Sequence, residues 1–525
     1  MFSTFIRRLL PALFATTLAA CGGGGNDNAT PNTPVPPPVV TPTASIGIAP
    51  AALTIVAGTN SSAIATLTRG GGFAGAVSIA ASGTPSGVTV TAPAIAASGA
   101  TSTVTVAVAA TTAAGTSTFT LTGTGTGVTI APVTLALTVQ AAPAGVTEIG
   151  SGIIGEAAGD QSGSALALSA DGSRIAIAAP LNDGAGGADS GHVRVYQKSG
   201  STWTQLGGDI DGESAEERSG ISVGMSADGS RVVIGAYLNG GSVPRSGAGQ
   251  VRVYELVAGA WVQVGTDING GTGSGLGYAV AISSDGRRII AGAPGLNSGV
   301  GYAQVYEQTG SNWVQLGATL AVTGSSSFGE ALDMSDDGNR VAIGSPGADG
   351  STRPGTVYVY AWNGAAWAPL GTPIAGERLG DVAGSAVSLS SDGSRLAIGA
   401  PSNTDGGLSG GGSTAGQVRV YAFNGTAWAQ LGGDVDGKVA ANGDTFGSTV
   451  ALSGDGTRFV ASAPNNGAAR VYTLTGGAWV QTGVDLTGAR TNGVAVSSDG
   501  KTAAVGFIYF QPGAIGKTQV YTVTP

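Results

Sequence analysis

The chain has 525 residues, enough for more than one domain, and 92 of them are glycine while only 10% are charged. This composition favours short strands joined by glycine-rich turns over helices, because soluble helices need charged outer faces. A formal net charge of -9 excludes a nucleic-acid partner that needs clustered Lys and Arg, and a single cysteine excludes an internal disulfide.

Residues 1–20 are predicted to be a signal peptide, because an arginine pair precedes an apolar run too short to span a membrane. The end of this run, Leu18–Cys21, resembles the lipobox of bacterial lipoproteins. The resemblance implies cleavage before Cys21, a lipid on its thiol as the only membrane anchor, and, because Gly22 rather than Asp follows, sorting to the outer membrane. An ordinary signal peptide with a chance cysteine is the alternative.

The next two segments are predicted to be a tether and a small domain. Residues 21–43 are rich in Gly, Thr and Pro and indicate a flexible linker. Residues 44–141 contain seven short runs of alternating apolar and polar residues, which fit a β-sandwich. This segment resembles the Ig-like modules of bacterial surface proteins, and a spacer role is expected for it.

Residues 145–525 contain seven copies of the motif Ser-x-Asp-Gly, spaced 44 to 63 residues apart. Their aspartates are Asp171, Asp228, Asp285, Asp337, Asp392, Asp455 and Asp499. A repeat of this length, rich in Val, Ile, Thr and Tyr, predicts a seven-bladed β-propeller with one repeat per blade. The predicted fold class is therefore all-β, a seven-bladed propeller preceded by a small Ig-like sandwich.

Each copy reads as four strands, with Asp-Gly in the tight turn between the first two. The seventh copy ends without a fourth strand, whereas an unassigned strand-like segment, Val146–Gly150, precedes the first copy. We expect this segment to complete the last blade and close the ring.

The copies resemble FG-GAP repeats of integrin α-subunit-like propellers. Gly292-Ala293-Pro294 and Gly399-Ala400-Pro401 match one half of that signature, and Phe328-Gly329 and Phe446-Gly447 match the other. Many members of that family carry calcium in an Asp-rich loop, which the bare Asp-Gly turns here are too short to form. No cofactor is expected, although calcium at one or two sites stays open, with Asp209, Asp211, Asp434 and Asp436 as candidate ligands.

The loops between the second and third strands are long and varied, so binding is expected on the face that they share with the connections between blades. Candidate ligand-binding residues on this face are Asp183, Asp189, Arg245, Arg353, Asp405, Tyr509 and Phe510. Acidic connections that accompany them are Glu213, Glu216, Glu217, Glu377 and Asp381.

Three recurrent or isolated residues are interpreted as structural. The basic residue that follows each Asp-Gly turn is expected to form an exposed pair with its own turn aspartate. The tryptophan of the fourth strand is expected to pack between blades or to cover an edge. The single histidine, His192, is interpreted as a strand surface position, and no Cys/His metal site is expected.

These features favour a protein that is not an enzyme: a lipid-anchored envelope protein whose propeller binds a protein or glycan. An extracytoplasmic carbohydrate-active enzyme that uses carboxylates on the same face is one alternative. A structural component of an envelope assembly is another. Whether the protein faces the periplasm or the cell surface stays open.

Overall fold

The computed structural model confirms an all-β chain, in which the one helix among the described residues is a 3-10 turn at Pro464–Asn466. The structure describes residues 40–57, 60–109, 112–140, 145–240, 247–296, 301–325, 327–347, 353–404, 414–438, 443–508 and 515–524. The predicted signal peptide and Cys21 lie outside these residues. No helix in the described part of the chain is long and apolar enough to cross a membrane. The chain divides into two compact units, Met1–Ala141 and Ala142–Pro525.

The first unit consists of two packed sheets. Its described strands are β1 (Thr43–Ala49), β2 (Ala52–Val56), β3 (Asn60–Gly70), β4 (Ser78–Ser82), β5 (Val88–Thr91), β6 (Thr101–Val108), β7 (Gly115–Gly125), β8 (Val128–Thr129) and β9 (Val133–Gln140). One sheet has the order β1-β3-β6-β5, and the other has the order β2-β9-β7-β4, with β8 paired to β7. The alternation of exposed and buried residues along β6 shows why this sequence forms strands with one face in a core.

Arg69 is the only charged residue between Asp27 and Glu148. Its guanidinium donates hydrogen bonds to the carbonyl oxygens of Gly75 and Ala96 at 3.0 and 2.9 Å, and also to that of Gly99. The charge therefore ties loops of the first unit together.

The second unit contains 32 described strands. They are β10 (Gly145–Ala158), β11 (Leu166–Leu168), β12 (Arg174–Ala179), β13 (His192–Ser199), β14 (Thr202–Gln205), β15 (Ile210–Asp211), β16 (Ser222–Met225), β17 (Arg231–Ala236), β18 (Gln250–Val257), β19 (Ala260–Gln263), β20 (Ile268–Asn269), β21 (Ala279–Ile282), β22 (Arg288–Ala293), β23 (Tyr302–Thr309), β24 (Asn312–Gln315), β25 (Ala331–Met334), β26 (Arg340–Ser345), β27 (Thr356–Trp362), β28 (Trp367–Pro369), β29 (Ile374–Ala375), β30 (Ala386–Leu389), β31 (Arg395–Ala400), β32 (Gln417–Phe423), β33 (Trp428–Gln430), β34 (Val435–Asp436), β35 (Val450–Leu452), β36 (Arg458–Ala463), β37 (Ala468–Thr475), β38 (Ala478–Thr487), β39 (Arg490–Val496), β40 (Thr502–Ile508) and β41 (Ile515–Thr524).

These strands form seven antiparallel sheets in the described part of the unit, six of them built on four consecutive strands. In four of them a two-residue strand adds to the third strand, as β15 does to β13. The last sheet has the order β10-β41-β40-β39, so the first strand of the unit lies on the edge of the last sheet. Val146 pairs with Val523 and Ile149 with Val520, which is the pairing that the sequence predicted for residues 146–150.

The innermost strands of the seven sheets contact one another in a closed cycle, the arrangement of a β-propeller. A ring of backbone hydrogen bonds accompanies it: the residue between Ser and Asp in each copy donates its amide to the carbonyl of the same residue in the next copy. The members are Ala170, Ala227, Ser284, Asp336, Ser391, Gly454 and Ser498, with N···O distances from 2.8 to 3.0 Å. Ser498 donates to Ala170, so the cycle has no gap.

Within each turn the Ser and Asp side chains bond locally. In the fifth copy the Ser390 hydroxyl donates to Asp392 at 2.7 Å and accepts the Arg395 amide at 2.9 Å. Burial alone would raise the pKa of Asp392, but hydrogen bonds from the Ser394 amide and the Ser390 hydroxyl outweigh it and lower that pKa. The repeated Ser-x-Asp-Gly motif therefore stabilises its own turn.

The basic residue after the turn does not pair with its own aspartate in most copies, so that prediction is wrong for them. The guanidinium instead reaches the turn of the next repeat, where Arg174 donates to the Gly229 carbonyl at 3.1 Å and Arg395 to the Gly456 carbonyl at 3.0 Å. Only the last copy has the predicted pair among the described ion pairs, Lys501 with Asp499 at 3.3 Å. The arginines fasten neighbouring sheets together.

Two glycines of the repeat meet between neighbouring sheets. A Cβ atom on Gly399 would lie 2.0 Å from the carbonyl oxygen of Gly447, and one on Gly292 would lie 2.1 Å from that of Gly329. Gly447 also has a φ of +86°, which side chains rarely adopt. The glycine of one copy's Gly-Ala-Pro thus packs on the glycine of the next copy's Phe-Gly, which explains why both are needed.

The tryptophans of the fourth strands pack between sheets, as predicted. Five of them donate the indole N–H to a carbonyl of the preceding sheet at 2.7 to 2.9 Å, and these are Trp261, Trp313, Trp367, Trp428 and Trp479. The indole N–H of Trp203 is buried and has no hydrogen-bond partner among the described residues. Trp203 lies where the first sheet meets the closing strand β10, which departs from the repeat.

Candidate functional site: the loop end of the ring and its central cavity

The two ends of the ring differ in structure. The Ser-x-Asp-Gly turns form one end, where the backbone hydrogen bonds link them into the closed cycle. The connections between second and third strands, together with those between sheets, form the other, here called the loop end. Between the two lies a cavity of about 300 Å³ lined by the innermost strands.

Besides Asp336 in the turn that follows, Asp333 lines this cavity from the innermost strand β25. It accepts hydrogen bonds from the amides of Met334 and Leu389 at 2.8 and 2.7 Å and from the Ser388 hydroxyl at 3.2 Å. Burial raises the pKa of Asp333 to about 6 against the opposing effect of these bonds. A carboxyl group with a raised pKa in a cavity can exchange a proton near neutral pH.

Three of the predicted ligand-binding residues lie at the loop end in the described structure. Asp183 is exposed and accepts the amide of Asp189, which has a φ of +49°. Arg353 is exposed and donates to the Gly324 carbonyl. The structure brings Asp183 and Asp189 together, since they share one loop of the first repeat. Arg245, Asp405, Tyr509 and Phe510 fall outside the described residues.

The acidic connections divide into structural and exposed carboxylates. Glu217 is fully buried and pairs with Arg252 at 3.1 Å, while Glu213 pairs with the same guanidinium at 3.2 Å. Glu377 lies 3.5 Å from Arg419. Asp381 is buried and accepts the amides of residues 377 and 378. Glu216 is exposed.

The four calcium candidates do not form an all-oxygen loop site among the described residues. Asp209 and Asp434 each accept a glutamine side-chain amide at 2.6 Å, and Asp436 accepts one from Gln417 at 3.2 Å. Asp211 lies in the two-residue strand β15, whose backbone pairs with β13. The described residues contain one group of three acidic or histidine side chains close enough to share an ion, and it combines Asp209 with Glu156 and His192.

The interpretation of His192 as a surface position is wrong. Its side chain is 1% exposed, because β13 is an inner strand of its sheet and β15 and β10 cover this end of it. Burial, with the charge of Arg194, lowers the pKa of His192 despite three nearby carboxylates.

Sequence reasoning missed Asp333, although alignment of the copies carries a signal for it. In the register of the first two strands, the position of Asp333 holds only small residues in the other six copies. They are Ala167, Gly224, Ala281, Ser388, Ala451 and Ala495. A lone charge at a position that is otherwise small marks a departure from the repeat.

No protein-family model matches this sequence, and no curated protein matches it. Solved structures do resemble it at low identity. A protein of Bacteroides uniformis provisionally named a 6-phosphogluconolactonase is 14% identical, with a TM-score of 0.45 over 62% of this chain and 86% of that one. The periplasmic gluconolactonase of Pseudomonas aeruginosa is 16% identical, with a TM-score of 0.44 over 67% and 99%. The β-propeller domain of the trilobed protease of Pyrococcus furiosus is 9% identical, with a TM-score of 0.39 over 67% and 96%.

The expectation that this chain is not an enzyme is contradicted by these comparisons, because lactonases recur among the similar structures. We therefore withdraw that expectation. The names describe those proteins, and with TM-scores below 0.5 they assign no reaction to this chain.

Proposed function

We propose that this chain is a lipid-anchored protein of the cell envelope, held at the outer membrane through Cys21. In this proposal a flexible linker and an Ig-like sandwich precede a seven-bladed β-propeller. The lipobox-like residues before Cys21 support the anchor. The two packed sheets of the first unit support the sandwich, and the seven sheets with their closed inner cycle support the blade count.

The propeller binds a protein or glycan at its loop end. The observation that carries this proposal is the contrast between exposed and buried acids there: Asp183 and Glu216 are exposed, whereas Glu217 is buried against Arg252. Exposed polar side chains on loops that a buried ion pair holds in place are typical of binding surfaces, because little order is lost on association.

Binding to whole cells and to extracted glycans tests this function. The protein with Cys21→Ser, which stays unlipidated, is compared with the same protein carrying Asp183→Ala and Glu216→Ala. A matched control carries Arg287→Ala and Lys501→Ala, two exposed residues at the turn end. We expect saturable binding that weakens at least about tenfold only in the loop-end variant. No saturable binding, or equal weakening in the control, would contradict the proposal.

Lipid anchoring is tested separately by membrane fractionation. Wild-type protein is expected in the membrane fraction, with a mass increase on the peptide that begins at Cys21, and Cys21→Ser is expected in the soluble fraction. Equal membrane association of both forms would exclude the lipid as the anchor.

The cavity favours a second candidate function, a hydrolytic enzyme that uses Asp333 as a proton donor or acceptor. The raised pKa of this carboxyl group is the observation in its favour. Turnover of lactone or glycoside substrates that is lost in Asp333→Asn and kept in Asp183→Ala would support this candidate. Turnover unchanged in Asp333→Asn would exclude it.

A further inference from the structure

His192 lies in a cluster with Glu156 and Asp209 at the seam where the ring closes. Its Nδ1 is 3.7 Å from Glu156 Oε2 and 3.8 Å from Asp209 Oδ2, too far for hydrogen bonds. This Nδ1 is buried and has no hydrogen-bond partner among the described residues. A buried ring nitrogen without a partner is costly, so something absent from the protein itself is expected to satisfy it.

The two carboxylates are oriented toward the imidazole by their other oxygens. Oε1 of Glu156 accepts from Arg194 at 3.1 Å, and Oδ1 of Asp209 accepts from Gln205 at 2.6 Å. Each therefore turns its remaining oxygen, Oε2 or Oδ2, toward Nδ1 of His192. Ligand carboxylates and histidines in metal sites are held by such outer hydrogen bonds.

Two other repeats have glutamine at the position of His192. Gln250 and Gln417 occupy the register of His192 at the start of the third strand. The Gln417 amide donates to Glu377 at 3.4 Å and to Asp436 at 3.2 Å, and the Gln250 amide donates to Glu213 at 3.4 Å. Among the described residues Nδ1 of His192 makes no such bond, and the nearest oxygens of Glu156 and Asp209 lie 3.7 and 3.8 Å from it.

We propose that Glu156, His192 and Asp209 bind one divalent transition-metal ion of the zinc class. The three ligand atoms lie within 4.8 Å of one another. Metal–ligand bonds of about 2.0–2.2 Å at angles between tetrahedral and trigonal place neighbouring ligand atoms roughly 3.3–3.8 Å apart. The distances from Nδ1 of His192 to the two carboxylate oxygens, 3.7 and 3.8 Å, lie in this range. A ring nitrogen with two carboxylates suits zinc or manganese better than calcium, which prefers oxygen alone.

The charges around His192 also favour a dication. Glu156, Asp209 and Asp211 face it with negative charge, and Arg194 is the facing cation.

The ion would join two ends of the unit. Glu156 belongs to the closing strand β10 in the last sheet, whereas His192 starts β13 and Asp209 follows β14 in the first sheet. Metal bound here stabilises the closed ring, since an ion that binds only the folded state raises stability by mass action.

The test measures metal binding to the full-length chain by calorimetry after chelation and dialysis. Every sample carries Cys21→Ser so that the single thiol cannot bind the ion. Zn²⁺ is titrated into this protein and into variants that add His192→Gln or Asp209→Asn. His192→Gln removes the ring nitrogen and replaces it with the residue that two other repeats use at this position, so the fold should be kept.

We expect one Zn²⁺ per chain, a rise in the urea midpoint of tryptophan fluorescence on adding Zn²⁺, and affinity at least about tenfold weaker in both variants. The fluorescence midpoint of His192→Gln should not respond to Zn²⁺. No binding to the parent protein, or equal binding by His192→Gln, would overturn the proposal. Ca²⁺ that binds as tightly as Zn²⁺ and survives His192→Gln would also overturn it, since the site would then be an oxygen site elsewhere.

Discussion

Replacing Arg470 by methionine is expected to lower the free energy of unfolding by about 3–5 kcal/mol, the usual effect of leaving a buried charge unpaired. Both Arg470 and Asp444 are completely buried, and the guanidinium bonds both oxygens of that carboxylate at 2.6 and 3.2 Å. It also donates to Asp485 at 3.1 Å. Without Arg470, the described partner left to Asp444 is the amide of Lys438 at 2.7 Å. One backbone bond cannot solvate a buried carboxylate.

Urea denaturation followed by tryptophan fluorescence measures this loss in the second unit, because all seven tryptophans lie between residues 203 and 479. Lys501→Met is the control, since its pair with Asp499 is 62% and 42% exposed and should contribute less than about 1 kcal/mol. Adding Asp444→Asn to Arg470→Met should recover part of the lost free energy of unfolding, because it removes the unpaired charge of the buried carboxylate. Losses of equal size in Arg470→Met and Lys501→Met would refute the reasoning.

Three further perturbations test the account. Gly399→Ala is expected to cost about 1–3 kcal/mol because the new Cβ meets the Gly447 carbonyl 2.0 Å away, whereas Gly433→Ala, with open space at its Cβ, should be near neutral in the same urea titration. Ser390→Ala is expected to cost about 1–2 kcal/mol, since it removes one hydroxyl that both donates and accepts, and a loss below about 0.3 kcal/mol would contradict the turn argument. The protonated form of Asp333 stabilises the folded state below its unfolded pKa of 3.8, and this contribution is lost as pH rises through about 6. Asp333→Asn should flatten that part of the curve of stability against pH, and an unchanged slope between pH 4 and 6 would show that the carboxyl group is not perturbed.

The all-β fold and the strand order were predictable because each copy repeats its turn. The side chains of Ser390 and Asp392 form a hydrogen bond within a three-residue segment. The turn is therefore determined locally and can be recognised in the sequence. The closing strand was predictable because the seventh copy lacks a fourth strand and residues 146–150 match the sequence of a fourth strand. These inferences need only the repeat.

The contacts between repeats were harder to predict from the sequence. Arg174 was expected to pair with its own turn, but it reaches Gly229, 55 residues away. The same kind of long-range contact decides the burial of His192, whose neighbours Glu156 and Asp209 come from different sheets. A period shows which residues are equivalent, and it does not show which residue of the next repeat each one touches.

A cysteine pair tests directly whether the leading strand closes the ring. Thr147 and Thr522 are exposed cross-strand partners in the pairing of β10 with β41. In the Cys21→Ser protein, Thr147→Cys with Thr522→Cys should form a disulfide on mild oxidation, because cross-strand partners meet the distance requirement. The control pair, Thr147→Cys with Thr457→Cys, should stay reduced. Failure of the first pair to crosslink in folded protein, or equal crosslinking of the control, would contradict a ring closed by its own first strand.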